Sequence, residues 1–153
     1  MQEHIDAVKK FKLGAGQSAP DTKTEPTDFE RITQVRLIIE EAIEMAEALG
    51  VDIKFSLDIN SPYRISGASN FDYSIVAPVN FVEVADAACD LQWVAVTGPM
   101  VLCGMSDKLA PAITAVDNNN LLKLEKGKKC PTTGKFIKPK DHPKVDLESI
   151  VGP

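Results

Sequence analysis

Histidine and cysteine, the side chains that hold zinc and most soft metals, are scarce in this sequence. The chain of 153 residues has two histidines, His4 and His142, which lie near its ends, and three widely separated cysteines. The segment CPTTGK resembles one half of a zinc ribbon, but no second pair of cysteines completes it. A zinc site of Cys and His ligands is therefore not expected.

Several common sequence signatures are also missing. There is no Walker-type glycine-rich loop to cradle phosphates and no Gly-x-Ser-x-Gly nucleophile motif. No apolar run reaches the ~18 residues of a membrane-spanning helix, and no signal-peptide pattern is present. Together with an odd number of cysteines, these features predict a cytoplasmic protein that does not bind membranes.

Basic residues are scarce except near the C-terminus. Residues 1–122 contain 9 Lys and Arg against 18 Asp and Glu, whereas residues 123–144 contain 8 Lys against Glu125 and Asp141. An acidic body of this kind is a poor match for nucleic acid, so we expect no nucleic-acid partner. The basic segment is either a solvated terminus or a contact for a smaller anion, and both interpretations stay open.

Hydrophobic spacing and capping patterns predict that the first third of the chain is helical. The segment QEHIDAVKKFKLG has helical spacing and ends at Gly14, after which a loop follows. A second helix begins with the capping-box pair Thr27 and Glu30. It is expected to run to about Leu49, where Gly50 stops it.

An inserted arm separates this helix from the next one. Residues 51–78 contain two segments, VDIKFSLDI and FDYSIVA, in which apolar and polar residues alternate, so we predict a β-hairpin or an extended arm. Asn80 then caps a helix that runs to about Thr97, with a bend at Pro99 and an end near Gly104.

The last part of the chain is predicted to contain one more helix and an irregular tail. The helix begins at Ser106 or Asp107, because Pro111 then falls in its first turn, where a missing N–H costs least. Residues 127–153 combine Gly, Pro and Lys and are expected to form a basic irregular tail. The fold class predicted for residues 1–153 is all-α, a single domain of about four to five helices with an inserted arm.

Two of the predicted helices carry a line of carboxylates. One line contains Glu41 and Glu44 with Glu40 beside them, and the other contains Glu83, Asp86 and Asp90. The second helix is otherwise apolar, which predicts that it is buried, with Cys89 and Trp93 in the core. Stacking of Trp93 on a base is the alternative for that residue.

The carboxylate lines need a positive partner if they are buried. An ionised carboxylate without a partner costs several kcal/mol in an apolar interior. Arg36 is the only basic residue within these two stretches, so pairing with basic side chains is a weak explanation, and Glu47 is expected to face water. A hard divalent cation, Mg²⁺ or Mn²⁺, is the explanation that remains.

The carboxylate motifs resemble a known family. The segments EEAIE and EVADAACD are similar to the acidic signature of the all-α nucleoside triphosphate pyrophosphohydrolases, which include MazG, phosphoribosyl-ATP pyrophosphatase and the dimeric dUTPases. VKKFKLGAGQ, DNNNLLKL and TTGKFIKP also resemble short members of that family. If Asp90 takes the family's final aspartate position, Ala87 replaces the partner acid. Asp86 or Glu83 then supplies that oxygen, and the ligand register stays open by one turn.

The resemblance implies a MazG-like homodimer or homotetramer that hydrolyses a nucleoside triphosphate to monophosphate and pyrophosphate. It implies about two or three Mg²⁺ or Mn²⁺ ions per site. The implied metal ligands are Glu41, Glu44, Glu83, Asp86 and Asp90, with Glu40 and Glu41 in catalytic roles. The implied substrate-binding residues are Arg36, Trp93, Asn118, Asn119, Lys123, Lys135 and Lys138.

The base and the activity have alternatives. Similarity to short phage members of the MazZ type implies dGTP or GTP as the substrate. The base contacts would come from Asn118 to Asn120 and from the arm residues Tyr63, Asn70, Phe71 and Tyr73. Activity on dUTP or dCTP, a house-cleaning pyrophosphatase and a non-catalytic module that binds a divalent ion stay open. A di-iron bundle is disfavoured because the sequence lacks Glu-x-x-His pairs.

Overall fold

A computed structural model describes residues 1–55, 71–132 and 134–152 and is mostly helical. In chain order its elements are α1 (Gln2–Gly14), α2 (Asp28–Ala48), β1 (Val51–Phe55), β2 (Phe71–Ile75), α3 (Phe81–Leu91), a π-helical turn (Gln92–Thr97), α4 (Gly98–Leu102), a 3₁₀ turn (Ser106–Lys108), α5 (Leu109–Lys126), β3 (Lys128–Lys129), β4 (Phe136–Ile137) and α6 (Glu148–Val151). The chain groups into two compact units, each described by itself: Glu25–Pro99, here the acidic unit, and Met1–Thr24 with Met100–Pro153, here the terminal unit.

Both predicted capping signals of the acidic unit are present. The Thr27 hydroxyl accepts from the Glu30 N–H, and the Glu30 carboxylate accepts from the Thr27 N–H, which completes the capping box of α2. The Asn80 side chain accepts from the N–H groups of Val82 and Glu83 at the start of α3. These contacts satisfy N–H groups that have no partner within the first turn of a helix.

The predicted arm begins as a β-hairpin. Gly50 ends α2 with φ at 73°, a left-handed conformation that favours glycine, and its carbonyl accepts from the Val76 N–H at 2.8 Å. β1 and β2 pair antiparallel with Val51 opposite Ile75, so the predicted hairpin is confirmed for these two strands. The predictions for residues 56–70, including base contacts from Tyr63 and Asn70, concern residues outside those that the structure describes.

Helices α2 and α3 run antiparallel and form the centre of the acidic unit. At one end the Asn80 N–H donates to the Ala48 carbonyl at 2.9 Å, and at the other the Gln34 side-chain amide donates to the Val94 carbonyl at 2.7 Å. The two bonds are separated by the same number of residues along both helices, so the two helices lie side by side over this whole length.

The prediction that the second acidic helix is buried on all sides is wrong for α3. Phe81 is 81% exposed and Val82 76% exposed, and Cys89 is exposed rather than in the core. Ala87 is the buried residue of this helix. The reason is that α3 packs within its unit along one side, against α2, and an apolar composition does not determine how many sides of a helix are covered.

The terminal unit contains α1, α5 and the tail. Ile5 and Val8 of α1 are buried as the helical spacing predicts, whereas Phe11 is exposed. The helix predicted to start at Ser106 or Asp107 begins with the 3₁₀ turn and continues as α5.

The tail after Gly127 is more regular than predicted. It contains a short antiparallel hairpin, β3 with β4, and the single turn α6. The Asn119 side chain of α5 anchors it, because the amide nitrogen donates to the Pro143 carbonyl at 3.0 Å and the amide oxygen lies 3.0 Å from His142 Nε2. Within the described ranges, no helix combines the length and the apolarity needed to cross a membrane.

Candidate functional site

Glu41 lies at the middle of the α2–α3 pair. It is midway along α2 between Gln34 and Ala48, and Ala87 is midway along α3 between Asn80 and Val94, so the two positions oppose each other. Ala87 is 5% exposed. At the position where the family resemblance led us to expect an acid, α3 therefore has a small, buried side chain in register with Glu41.

The Glu41 carboxylate is buried at one oxygen. Its Oε2 atom is inaccessible to solvent and has no hydrogen-bond partner among the described residues. Burial raises the pKa of the Glu41 carboxyl above its ordinary value of 4.5, and the negative charges of Glu44, Asp90, Glu40 and Asp86 add to this increase. Both effects disfavour the ionised form, the first through lost hydration and the second through repulsion between like charges.

The other carboxylates around Glu41 come from both helices. We call Glu40, Glu41, Glu44, Asp86 and Asp90 the Glu41 cluster. The lines predicted from the sequence are therefore brought together, with Asp86 and Asp90 contributed by α3. The prediction that Asp86 and Asp90 are buried is wrong, because both are exposed, as is Glu83, the third acid of that line. Glu83 differs from them in that it is not among the charges that raise the pKa of Glu41.

No basic side chain of the described residues compensates the Glu41 cluster. The ion pairs of these residues include Lys9 with Asp21, Arg31 with Glu25 and Asp28, Lys54 with Asp52, and Lys108 with Asp107, and none of these pairs involves the cluster. Arg36, which belongs to the same helix as Glu41, is exposed and forms no ion pair with the cluster. Among the residues that the structure describes, no basic side chain therefore balances the charge of the cluster, which a bound cation or solvent could do.

The donor atoms suit a hard cation, but they are not already arranged as a coordination site. Within residues 1–55, 71–132 and 134–152, no three His, Cys, Asp or Glu side chains already converge at the spacing of a metal site. Carboxylate oxygens are the ligands that Mg²⁺ and Mn²⁺ prefer, and the solvent-inaccessible Oε2 of Glu41 is an oxygen that a cation would satisfy. Side-chain rotation of neighbouring carboxylates is the movement that such binding would require.

The predicted substrate-binding residues are divided between the two units. Arg36 and Trp93 belong to the acidic unit, and Trp93 is half-buried in the π-helical turn. The others, which belong to the terminal unit, are Asn118, Asn119, Lys123, Lys135 and Lys138. In that unit the Asn119 amide contacts the tail as described above, and the Lys123 ammonium donates to the Asn120 side chain.

Sequence reasoning missed Gln34 and the π-helical turn. Gln34 is 7% exposed, although it is a polar residue on a helix that is largely accessible. The only local signal for the turn is Pro99, since proline has no N–H to continue a helical hydrogen-bond series. That signal predicted a bend, but it did not identify the residue that compensates for it.

An apolar cavity of about 320 Å³ lies between α2 and the β1–β2 hairpin of the acidic unit. Its lining includes Ile43, Phe71 and Tyr73, together with the carboxylate residues Glu47 and Asp52. The rings of Phe71 and Tyr73 are 6.5 Å apart and tilted. Sequence reasoning had assigned Phe71 and Tyr73 to a base-binding arm, and it had placed Glu47 in water, where the structure also leaves it exposed.

Comparison with known proteins gives no family assignment. No protein-family model matches the chain, and no curated protein matches it either. The interpretation of the site therefore depends on the geometry and chemistry of its own residues.

Proposed function

We propose that the protein is a metal-dependent nucleoside triphosphate pyrophosphohydrolase of the all-α, MazG-like type. The observation that carries the proposal is the solvent-inaccessible, unpartnered Glu41 oxygen among carboxylates from two antiparallel helices. A cluster of uncompensated carboxylates lowers stability, as like charges repel, unless a cation binds there. A triphosphate chelated to Mg²⁺ or Mn²⁺ brings such cations with it.

The residues are assigned the following roles under this proposal. Glu41, Glu44, Asp86 and Asp90 would hold the metal ions, and Glu40 would accept a proton from the water that attacks the α phosphorus. The bound ions would neutralise the triphosphate and lower the pKa of that water. Lys123, Lys135 and Lys138 belong to the terminal unit, and a role for them in balancing the charge of pyrophosphate stays an expectation from the family resemblance. Glu83 is a less favoured ligand because its charge does not act on Glu41.

The apolar cavity beside α2 supports a guanine nucleotide as the substrate. Phe71 and Tyr73 offer aromatic surfaces to a planar base, and the carboxylates of Glu47 and Asp52 accept hydrogen bonds. The Watson–Crick edge of guanine presents two adjacent donors, its ring N–H and its amino group, whereas that of adenine presents one. Carboxylates at the cavity therefore favour dGTP or GTP.

The direct test is a panel of nucleoside triphosphates incubated with Mg²⁺ or Mn²⁺, with products separated by chromatography. Formation of monophosphate and pyrophosphate from guanine nucleotides is the expected result. Preference for dUTP or dCTP would contradict the base assignment alone, and release of orthophosphate with a diphosphate would contradict attack at the α phosphorus.

A second function is a non-catalytic ion-binding module, which is favoured by the observation that carboxylates of the described residues do not already converge on one point. The Glu41 cluster would then bind a divalent ion without catalysis. The non-catalytic module would be favoured over the enzyme if calorimetry detects Mn²⁺ binding and no nucleotide of the panel is hydrolysed.

A further inference from the structure

The π-helical turn leaves one backbone carbonyl without a helical partner. In this turn the Gly98 N–H donates to the Trp93 carbonyl, five residues earlier. The next bond of the series would join the N–H of residue 99 to the carbonyl of Val94. Residue 99 is proline, which has no N–H, so the Val94 carbonyl needs a donor from elsewhere.

Gln34 of α2 supplies that donor. Its side-chain amide nitrogen lies 2.7 Å from the Val94 carbonyl oxygen, and the residue is 7% exposed. Gly98 permits this approach, because a Cβ at that position would lie 3.2 Å from the amide nitrogen and 3.0 Å from the Trp93 carbonyl. The bond therefore joins α2 directly to the π-helical turn.

The position of this bond relates it to the Glu41 cluster. Gln34 is two helical turns before Glu41, so both lie on the face of α2 that packs against α3. Val94 is one turn after Asp90, which is the last acid of α3. The opposite end of the helix pair is held by the bond between Asn80 and Ala48. The carboxylates of the cluster lie between these two attachment points.

We infer that Gln34 is a positioning residue: by donating to the Val94 carbonyl, it holds Asp86 and Asp90 beside Glu41 for cation binding. This inference rests on the proposed function of the Glu41 cluster as a metal site. Gln34 itself does not ligate the ion. Removing a polar group that orients metal ligands typically weakens metal affinity by about 10–100-fold.

The test compares Mn²⁺ affinity of the full chain, measured by electron paramagnetic resonance of free Mn²⁺, between the wild type and Gln34→Met. Methionine has a similar length but cannot donate, so we expect binding to weaken by about tenfold or more. Thr97→Val is the matched control. It removes the acceptor of the 3.3 Å hydrogen bond from Gln92 inside the same turn but leaves the bond from Gln34 to the Val94 carbonyl in place, and Mn²⁺ affinity should not change.

A second substitution tests whether Gln34 acts by donating to the Val94 carbonyl. It keeps the test informative even if Gln34→Met alone is unstable. Pro99→Ala restores an N–H, so the Val94 carbonyl gains a backbone donor whether the turn stays π-helical or becomes α-helical. The double variant Gln34→Met with Pro99→Ala should therefore recover most of the lost affinity. Fluorescence of Trp93, the only tryptophan and a member of the turn, should shift in Gln34→Met and return in the double variant.

The outcomes separate the two proposals. Wild-type protein that binds no Mn²⁺ would overturn the metal site and the inference together. Wild-type binding with unchanged affinity in Gln34→Met would overturn the inference alone. Weaker binding that Pro99→Ala does not restore, or an equal loss in Thr97→Val, would show that Gln34 acts only on general stability.

Discussion

At the scale of single residues, Glu41 is a partly buried carboxylate of the acidic unit whose pKa is shifted from its ordinary value. Its pKa is raised first by burial and then by four neighbouring carboxylates. An acid whose pKa is raised in the folded chain holds its proton more tightly there than in the unfolded chain. The free energy of unfolding therefore falls as the pH increases from the ordinary value of 4.5 through the raised pKa.

Glu41→Gln should consequently stabilise the metal-free protein at about pH 7 while it abolishes turnover. Glutamine has the same shape and no charge, so the penalty of ionising this site disappears. The gain should shrink as the pH is lowered below the ordinary pKa, because both proteins then carry a neutral group. Urea denaturation across this pH range measures the difference, and a lower free energy of unfolding at neutral pH would contradict the prediction.

Asp90→Asn is the corresponding change on α3. It removes one ligand charge at nearly constant volume, and kcat/KM should fall by more than about tenfold, which is ~1.4 kcal/mol of barrier. Asp72→Asn, the same chemical change at an exposed residue of β2, is the control and should leave kcat/KM unchanged. Wild-type rates in Asp90→Asn would exclude Asp90 from the metal ligands.

At the scale of elements, the junction between α2 and β1 depends on Gly50. Its φ of 73° is unfavourable for residues with a Cβ, and a Cβ there would collide with the Ala77 carbonyl. The Gly50 carbonyl also accepts from both Val76 and Ala77, so the junction fixes the start of the hairpin beside the apolar cavity.

Gly50→Ala should lower the free energy of unfolding by about 1–3 kcal/mol, because the strained backbone and the collision act together. Gly14→Ala is a suitable control, since its φ is not in the left-handed region and a Cβ there meets no atom within 4 Å. Thermal denaturation followed by circular dichroism compares the two variants. Equal midpoints would contradict the role assigned to Gly50.

Local sequence signals predicted where the helices and the hairpin begin and end, but they did not predict how these elements pack. The Thr27 capping box, the Asn80 cap and the stop at Gly50 depend on residues a few positions apart, and all three are present. Helical spacing also placed the acids of each line on one face of its helix, whereas the meeting of the two lines was an expectation from the metal hypothesis. The bond from Gln34 to Val94 joins residues 60 positions apart, and the exposure of α3 depends on its neighbours, so neither could be read from a local pattern.

At the scale of the whole molecule, α2 presents an apolar stripe on its accessible side. Ile32, Val35, Ile39 and Ile43 follow helical spacing and are between 48% and 57% exposed. A stable interface buries about 1,200–2,000 Å² in total. The side chains of the apolar stripe alone supply less area than this. The exposed Phe81 and Val82 of α3 add apolar surface in the same unit. These surfaces support the proposed homodimer or homotetramer.

Val35→Lys tests whether the apolar stripe joins two copies of the chain. Ile39 and Ile43 of the stripe also line the apolar cavity, whereas Val35 does not, so a lysine at Val35 tests assembly without a direct change to the lining of the base site. Desolvating an unpaired ammonium in an interface is unfavourable by several kcal/mol, so we expect the monomer mass in sedimentation velocity at micromolar concentration. Leu124→Lys places the same charge on an exposed apolar residue of α5, outside the stripe, and should keep the assembly. A wild-type monomer would remove the oligomer from the proposal, and an assembled Val35→Lys variant would place the interface on another surface.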